Sequence, residues 1–152
     1  MTRDNHFENK TDLLRASLAI YHQKIKTENE TIINAAPNAI AALGSMQHQI
    51  VKRTYQVNPN FFSDIIHYHP GLLEESYRNT NNFAHQQILD IAQWGIEDGI
   101  FQEDMDIEVV GKTVLVMLKL LKDNNLFPIT KYSKERLTFG TLVPYLRGLC
   151  TP

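Results

Sequence analysis

The sequence predicts an all-α fold, an antiparallel helical bundle of about six helices, and three observations lead there. Apolar residues recur three and four positions apart along the whole chain. No run alternates apolar and polar residues for long enough to make a strand. The breakers Pro37, Pro59, Pro70, Gly71, Gly99 and Pro128 fall at intervals of helix length. With 152 residues, 43% of them hydrophobic, the chain can bury one sizeable core.

The elements follow in order. Asn9 is a suitable N-cap with Asp12 three residues on, close to a capping box, and Leu14, Leu18, Tyr21, Ile25 and Ile32 continue at helical spacing, so a first helix is expected to run to about position 34. Pro37 and Asn38 restart a second helix to about position 57, which Asn58 and Pro59 end. A short segment over 61–69 precedes the break at Pro70 and Gly71, and a long helix over 72–98 stops at Gly99. Asp106 starts a fifth helix to about position 124, Pro128 lies in the connection, and Ser133 caps a last helix to about position 149. Within that last helix the ring of Pro144 is set against the carbonyl of Gly140 and should bend it.

A formal net charge of −2 supplies no global attraction to nucleic acid or to an anionic membrane, so any phosphate binding must be local. Cys150 is the single cysteine, which leaves no internal disulfide and no thiolate metal cluster. No secretory segment is visible, and the expected compartment is the reducing cytoplasm. The apolar stretch 109–121 carries Lys112 and Lys119 and is short for a membrane span, so no membrane partner is expected.

The fifth helix is the most informative element. Its polar side chains Glu108, Lys112, Lys119, Lys122 and Asp123 occupy an arc of roughly 100°, whereas the apolar ones fill roughly 200°. One stripe, Ile107, Val110, Val114, Leu118 and Leu121, can face the chain's own core, which leaves Val109, Val116 and Leu120 to meet something else. The last helix behaves in the same way, with Phe139, Leu142, Val143, Tyr145, Leu146 and Leu149 on one broad face. The economical arrangement is an isologous homodimer through a four-helix bundle, with Val109, Val116, Leu120, Phe139, Leu142 and Leu146 at the interface. The alternative is that both are central core helices of a monomer.

The phrase HFENKTDLLRASL, residues 6–18, resembles the end of the DNA-binding domain in TetR-family transcriptional regulators: an aromatic pair, a turn with Asn and Lys, then a connecting helix opening with acidic and leucine residues. The stretch GIFQEDMDIEVVGKTVLVML, residues 99–118, is similar to that family's loop and penultimate helix, and YSKERLTFGTLVPYLRGL, residues 132–149, to its final helix. The resemblance covers essentially the whole chain. It implies a remnant of a DNA-binding domain over 1–10 and a helical effector-binding and dimerisation domain over 11–152. A complete family member carries two helices and most of a recognition helix ahead of the position of His6. The chain is therefore expected to lack a working helix-turn-helix and not to bind an operator specifically; DNA becomes a partner only with that unit complete.

The resemblance also gives Lys10 a family role, contact with a DNA phosphate at the start of the connecting helix, beside the plain reading of a solvated lysine. Leu13 and Ile20 lie about 100° or more from the main stripe of the first helix, on the side that packs against the DNA-binding helices in the family, and should be exposed here.

A pocket for a small effector among the middle helices is a further implication, and the residues themselves lend it support. Thr80 and Gln87 interrupt the long helix's stripe of Leu73, Tyr77, Phe83, Ala84, Ile88, Ile91 and Trp94, while Gln47 and Thr54 sit among Leu43, Met46, Ile50 and Val57 on the second helix. Isolated polar groups on an apolar wall orient ligands, or they are core residues bonded to one another or to backbone. The candidate pocket is Tyr21, Met46, Gln47, Thr54, Phe62, Thr80, Phe83, Gln87 and Trp94, with Phe61, Phe62 and Tyr68 of the short segment as a wall or lid, or as plain core. Glu28, in line with Tyr21, Ile25 and Ile32, either pairs a cationic ligand or lies exposed past the end of the core.

Catalytic and metal readings find less. His67 and His69 point about 160° apart on a helix, so a two-His site needs extended backbone and a carboxylate from elsewhere. There is no Gly-rich phosphate loop, no HExxH and no recognisable Ser or Cys nucleophile. No enzyme, cofactor or metal is expected. Two functions remain: the effector-binding and dimerisation region of a TetR-like transcriptional regulator, and a free-standing helical small-molecule-binding or interaction protein without DNA binding.

Overall fold

The computed structural model of the chain describes residues 2–56, 59–123 and 125–152, with side chains at all of these except 2–8, 51, 54, 55, 59, 60, 62, 63, 66, 77, 80, 81, 119 and 122. It is all-helical: α1 (Thr2–Ala35), α2 (Ala39–Gln56), α3 (Pro59–Tyr68), α4 (Pro70–Glu97), α5 (Ile107–Lys122), α6 (Lys134–Gly140) and α7 (Leu142–Leu149). Among the described residues there is no strand, only an isolated antiparallel bridge between Phe101 and Cys150.

Local signals set most of the boundaries. Asn38 Oδ1 accepts from the Ala41 amide at 2.9 Å and starts α2. Asp106 caps α5 through the Val109 amide at 3.1 Å, and Ser133 caps α6 through the Arg136 amide at 3.2 Å. Pro70 does not break the chain: it is the first residue of α4, where its missing N–H has no intrahelical partner to lose. At the far end Gly99, at φ +69°, takes the left-handed conformation that ends α4.

Two expectations are corrected. No turn forms at Asn9; α1 is one helix of 34 residues that passes through it. Nothing between His6 and Leu14 forbids helix, since there is neither proline nor glycine, and an unbroken helix keeps every backbone bond that a cap would replace only in part. The last helix is not bent at Pro144 but divided at Thr141 (φ −127°, ψ −72°), so that Pro144 lies in the first turn of α7. Among the described residues seven helices result where about six were expected.

α4 is the central helix, with α1, α2, α3 and α5 packed on it. Contacts between Arg15 and Glu75, His22 and Ser76, and Asn29 and Gln87 show that α1 and α4 run parallel, while α2 returns antiparallel between them. α5 folds back along α4, with Gly111 against His85 and Leu89. The chain's end is tied in by backbone: the Gln102 amide donates to Leu149 O at 3.0 Å and the Thr151 amide to Ile100 O at 2.9 Å.

The sidedness of α5 follows the sequence. Val110 and Val114 are buried with Ile88 and Leu142, and Leu118 packs on them, while Val109, Val116 and Leu120 face outward. Leu13 and Ile20 on α1 are 67% and 72% exposed, as their distance from the main stripe predicts. No helix among the described residues is long and apolar enough to cross a membrane.

Candidate functional site

Among the described residues, the buried apolar side chains along α1 and α4 fall in separate clusters. Toward their N-terminal ends Leu18, Ile65, Leu72 and Leu73 form one core cluster. Toward their C-terminal ends Ile91 joins Ala39, Ala42, Met46 and Phe101 in another, with Ile32, Ile33 and Trp94 packed against it. Between the two, the same helices turn polar side chains toward each other: Tyr21, His22, Glu28 and Asn29 from α1, Ser76 and Gln87 from α4, and Arg53 from α2. Polar groups set beside apolar clusters give a ligand both apolar walls and orienting groups.

The layer is ordered by donor and acceptor logic. Arg53 can only donate, so Asn29 must present its oxygen to it: Nη2 donates to Asn29 Oδ1 at 3.1 Å. Asn29 Nδ2 is then left to donate to Gln87 Oε1 at 3.0 Å, and Gln87 Nε2 in turn to Lys26 O at 3.4 Å. Asn29 and Gln87 are both buried, so this chain of bonds is shielded from water on either side. Arg53 also donates from Nε to Glu28 Oε2 at 3.0 Å and meets the same oxygen through Nη2 at 3.0 Å. Its side chain is only 12% exposed, that of Glu28 33%. The second carboxylate oxygen, Oε1, is 3.9 Å from Lys24 Nζ.

Two more groups line the layer. Burial pushes the Tyr21 hydroxyl above its ordinary pKa, with Arg53 opposing and Glu28 reinforcing the shift. Further along α1, the His22 ring lies with Nε2 3.1 Å from Ser76 Oγ, and burial holds the imidazole below its ordinary value.

The structure distributes the sequence candidates as follows. Tyr21 and Gln87 belong to the polar layer. Met46 is buried in the adjoining apolar cluster, against which Trp94 packs, and Phe83 is half-buried on α4. Gln47 is buried but looks elsewhere, donating from Nε2 to Thr138 Oγ1 of α6 at 3.2 Å, with its Oε1 unpartnered among the described residues. The side chains of Thr54, Phe62 and Thr80 lie outside the described residues. Phe61 and Tyr68 are exposed, and the Tyr68 ring meets only the edge of His67 among the described rings, at 4.8 Å.

Glu28 is corrected: it is not past the end of the core, since α1 continues to Ala35 and Ile32 and Ile33 pack beyond it. Lys10 is exposed inside α1 rather than at a helix start, so the helix-terminus attraction for phosphate does not operate there. Of the interface candidates, Val109, Val116, Leu120 and Phe139 are exposed, Leu146 is half-buried, and Leu142 is buried in the chain's own core. The division at Thr141 explains Leu142: α6 and α7 no longer share one face, and α7 turns Leu142 inward onto Val110 and Val114.

Sequence reasoning missed Asn29, Arg53, His22 and Ser76. A signal existed. Asn29 lies eleven residues after Leu18 and Arg53 seven after Met46, each about 20° around the helix from a buried apolar residue.

Comparison of the chain with protein-family models, with curated proteins and with solved structures gives no match.

Proposed function

We infer that this chain is the effector-binding and dimerisation region of a TetR-like transcriptional regulator, working in the cytoplasm without catalysis. The observation that carries the reading is the outer row of α5: Val109, Val116 and Leu120 remain exposed although the inner row already fills the core. A second copy of the chain, placing the same row against this one, would cover it. The polar layer supports the ligand half of the reading, because its groups come from three helices and a small molecule held there would set α1 against α2 and α4. In a regulator, α1 would pass that change to a DNA-reading unit.

A free-standing helical ligand-binding protein is the second reading, favoured by one observation: α1 shows no turn where a recognition helix would hand over to a connecting helix.

Sedimentation at micromolar concentration tests the first reading. A dimer is expected, and a stable monomer overturns it. Selection of binding sites from random duplex DNA by the product of the natural reading frame separates the two readings. Enrichment of a palindromic sequence supports the regulator, and no enrichment supports the free-standing protein.

A further inference from the structure

We propose that Arg53 anchors the carboxylate of an amphiphilic effector, and that Glu28 occupies that place in the ligand-free chain and turns to Lys24 when the ligand arrives. The inference rests on the effector-binding reading and names the chemistry of that site.

The geometry of the ion pair carries it. An arginine fork is satisfied best by two carboxylate oxygens, one for each parallel N–H. Here Nε and Nη2 of Arg53 both converge on Glu28 Oε2, while Oε1 is turned toward Lys24. The internal carboxylate is thus shared between two cations and meets both halves of the fork with a single oxygen. A ligand carboxylate can offer one oxygen to each N–H, and its charge would balance a group that holds two cations and one anion.

The partners differ in how easily they move. Arg53 is nearly buried and braced by Asn29, which Gln87 holds in turn; Glu28 is on the wetter side of the pair and already has Lys24 within reach. The more exposed acid is the member that leaves, and the nearly buried cation is the member that stays. The apolar clusters above and below the layer suit a hydrocarbon body attached to the acid.

The test uses the whole chain and the neutral solvatochromic dye Nile red, with decanoate, decanol and decylamine as competitors of one apolar length. Decanoate is expected to displace the dye about tenfold or more better than decanol or decylamine, the value of one well-made charge-assisted pair. Arg53→Gln should abolish that preference and leave decanol unchanged, with Arg53→Lys intermediate because it keeps the charge and loses the fork. Glu28→Gln should strengthen decanoate several-fold by removing its internal competitor. A purely structural ion pair predicts no gain for Glu28→Gln, so this variant decides the matter even if Arg53→Gln misfolds. Equal competition by decanoate and decanol, or unchanged or weaker decanoate binding to Glu28→Gln, overturns the inference while dye binding keeps the effector-binding reading. No binding of the dye or of any competitor overturns both.

Discussion

The ring of Phe101 rests on the backbone of Gly95, so closely that a Cβ built at position 95 would fall inside it. Phe101 is almost fully buried and belongs to the cluster with Ala39, Ala42, Met46 and Ile91. The missing side chain on α4 is what lets the loop after the helix drop an aromatic ring into the core. Gly95→Ala should therefore destabilise the fold by about 1–3 kcal/mol through overpacking, even though alanine favours helix. Urea denaturation measures it, and a stabilised Gly95→Ala protein would contradict the packing described.

Asn29 links Arg53 to Gln87, and its removal leaves two buried groups without that partner. Asn29→Ala should cost about 1–3 kcal/mol. Combined with Gln87→Ala the loss should fall short of the sum by roughly 0.5 kcal/mol or more, since the second change removes an acceptor that the first has already orphaned. A double-mutant cycle in denaturant reads this coupling directly, and strict additivity would mean that the bond contributes nothing.

His22 gives stability a pH dependence with a defined sign. Its folded pKa lies below the ordinary 6.5, so the unfolded chain takes up the proton more readily than the folded one. The contribution is complete above pH 6.5 and is lost as pH falls through the folded value. His22→Gln should flatten the decline in melting temperature between neutral pH and about pH 5. An unchanged slope would show that the ring titrates as it does in the unfolded chain.

The two kinds of leucine and valine in the C-terminal helices should separate cleanly. Val116, exposed on α5, can become Glu with less than about 0.5 kcal/mol change in protomer stability, while the dimer of the proposed function should weaken about tenfold or more. Leu142→Ala should instead cost about 2–5 kcal/mol of folding stability, because it empties a place in the core beside Val110 and Val114. Sedimentation and thermal unfolding of both variants check the pair of outcomes.

What was legible in the sequence is what is decided locally. The caps at Asn38, Asp106 and Ser133 are side-chain bonds spanning three residues, and the inner and outer rows of α5 follow from its 3.6-residue period. The turn expected at Asn9 failed because a cap is worth only about 1 kcal/mol and the intact helix competes with it on equal terms. Leu142 was misplaced because one residue, Thr141, rotates everything after it. The polar layer was half legible. Gln87 and Tyr21 could be read as interruptions or neighbours of an apolar stripe, but that Asn29 reaches Gln87 across 58 residues, and that Glu28 reaches back to Arg53, depends on how three helices are laid together.

The tie between Gln102 and Leu149, and between Thr151 and Ile100, makes a closed loop of everything from α5 to the end of α7. Its root is the place where Phe101 enters the core. Fraying of the last turn would have to break main-chain bonds to the segment that carries this ring. The C-terminal third should therefore open as one cooperative unit, with its amides exchanging hydrogen together rather than progressively from the tail.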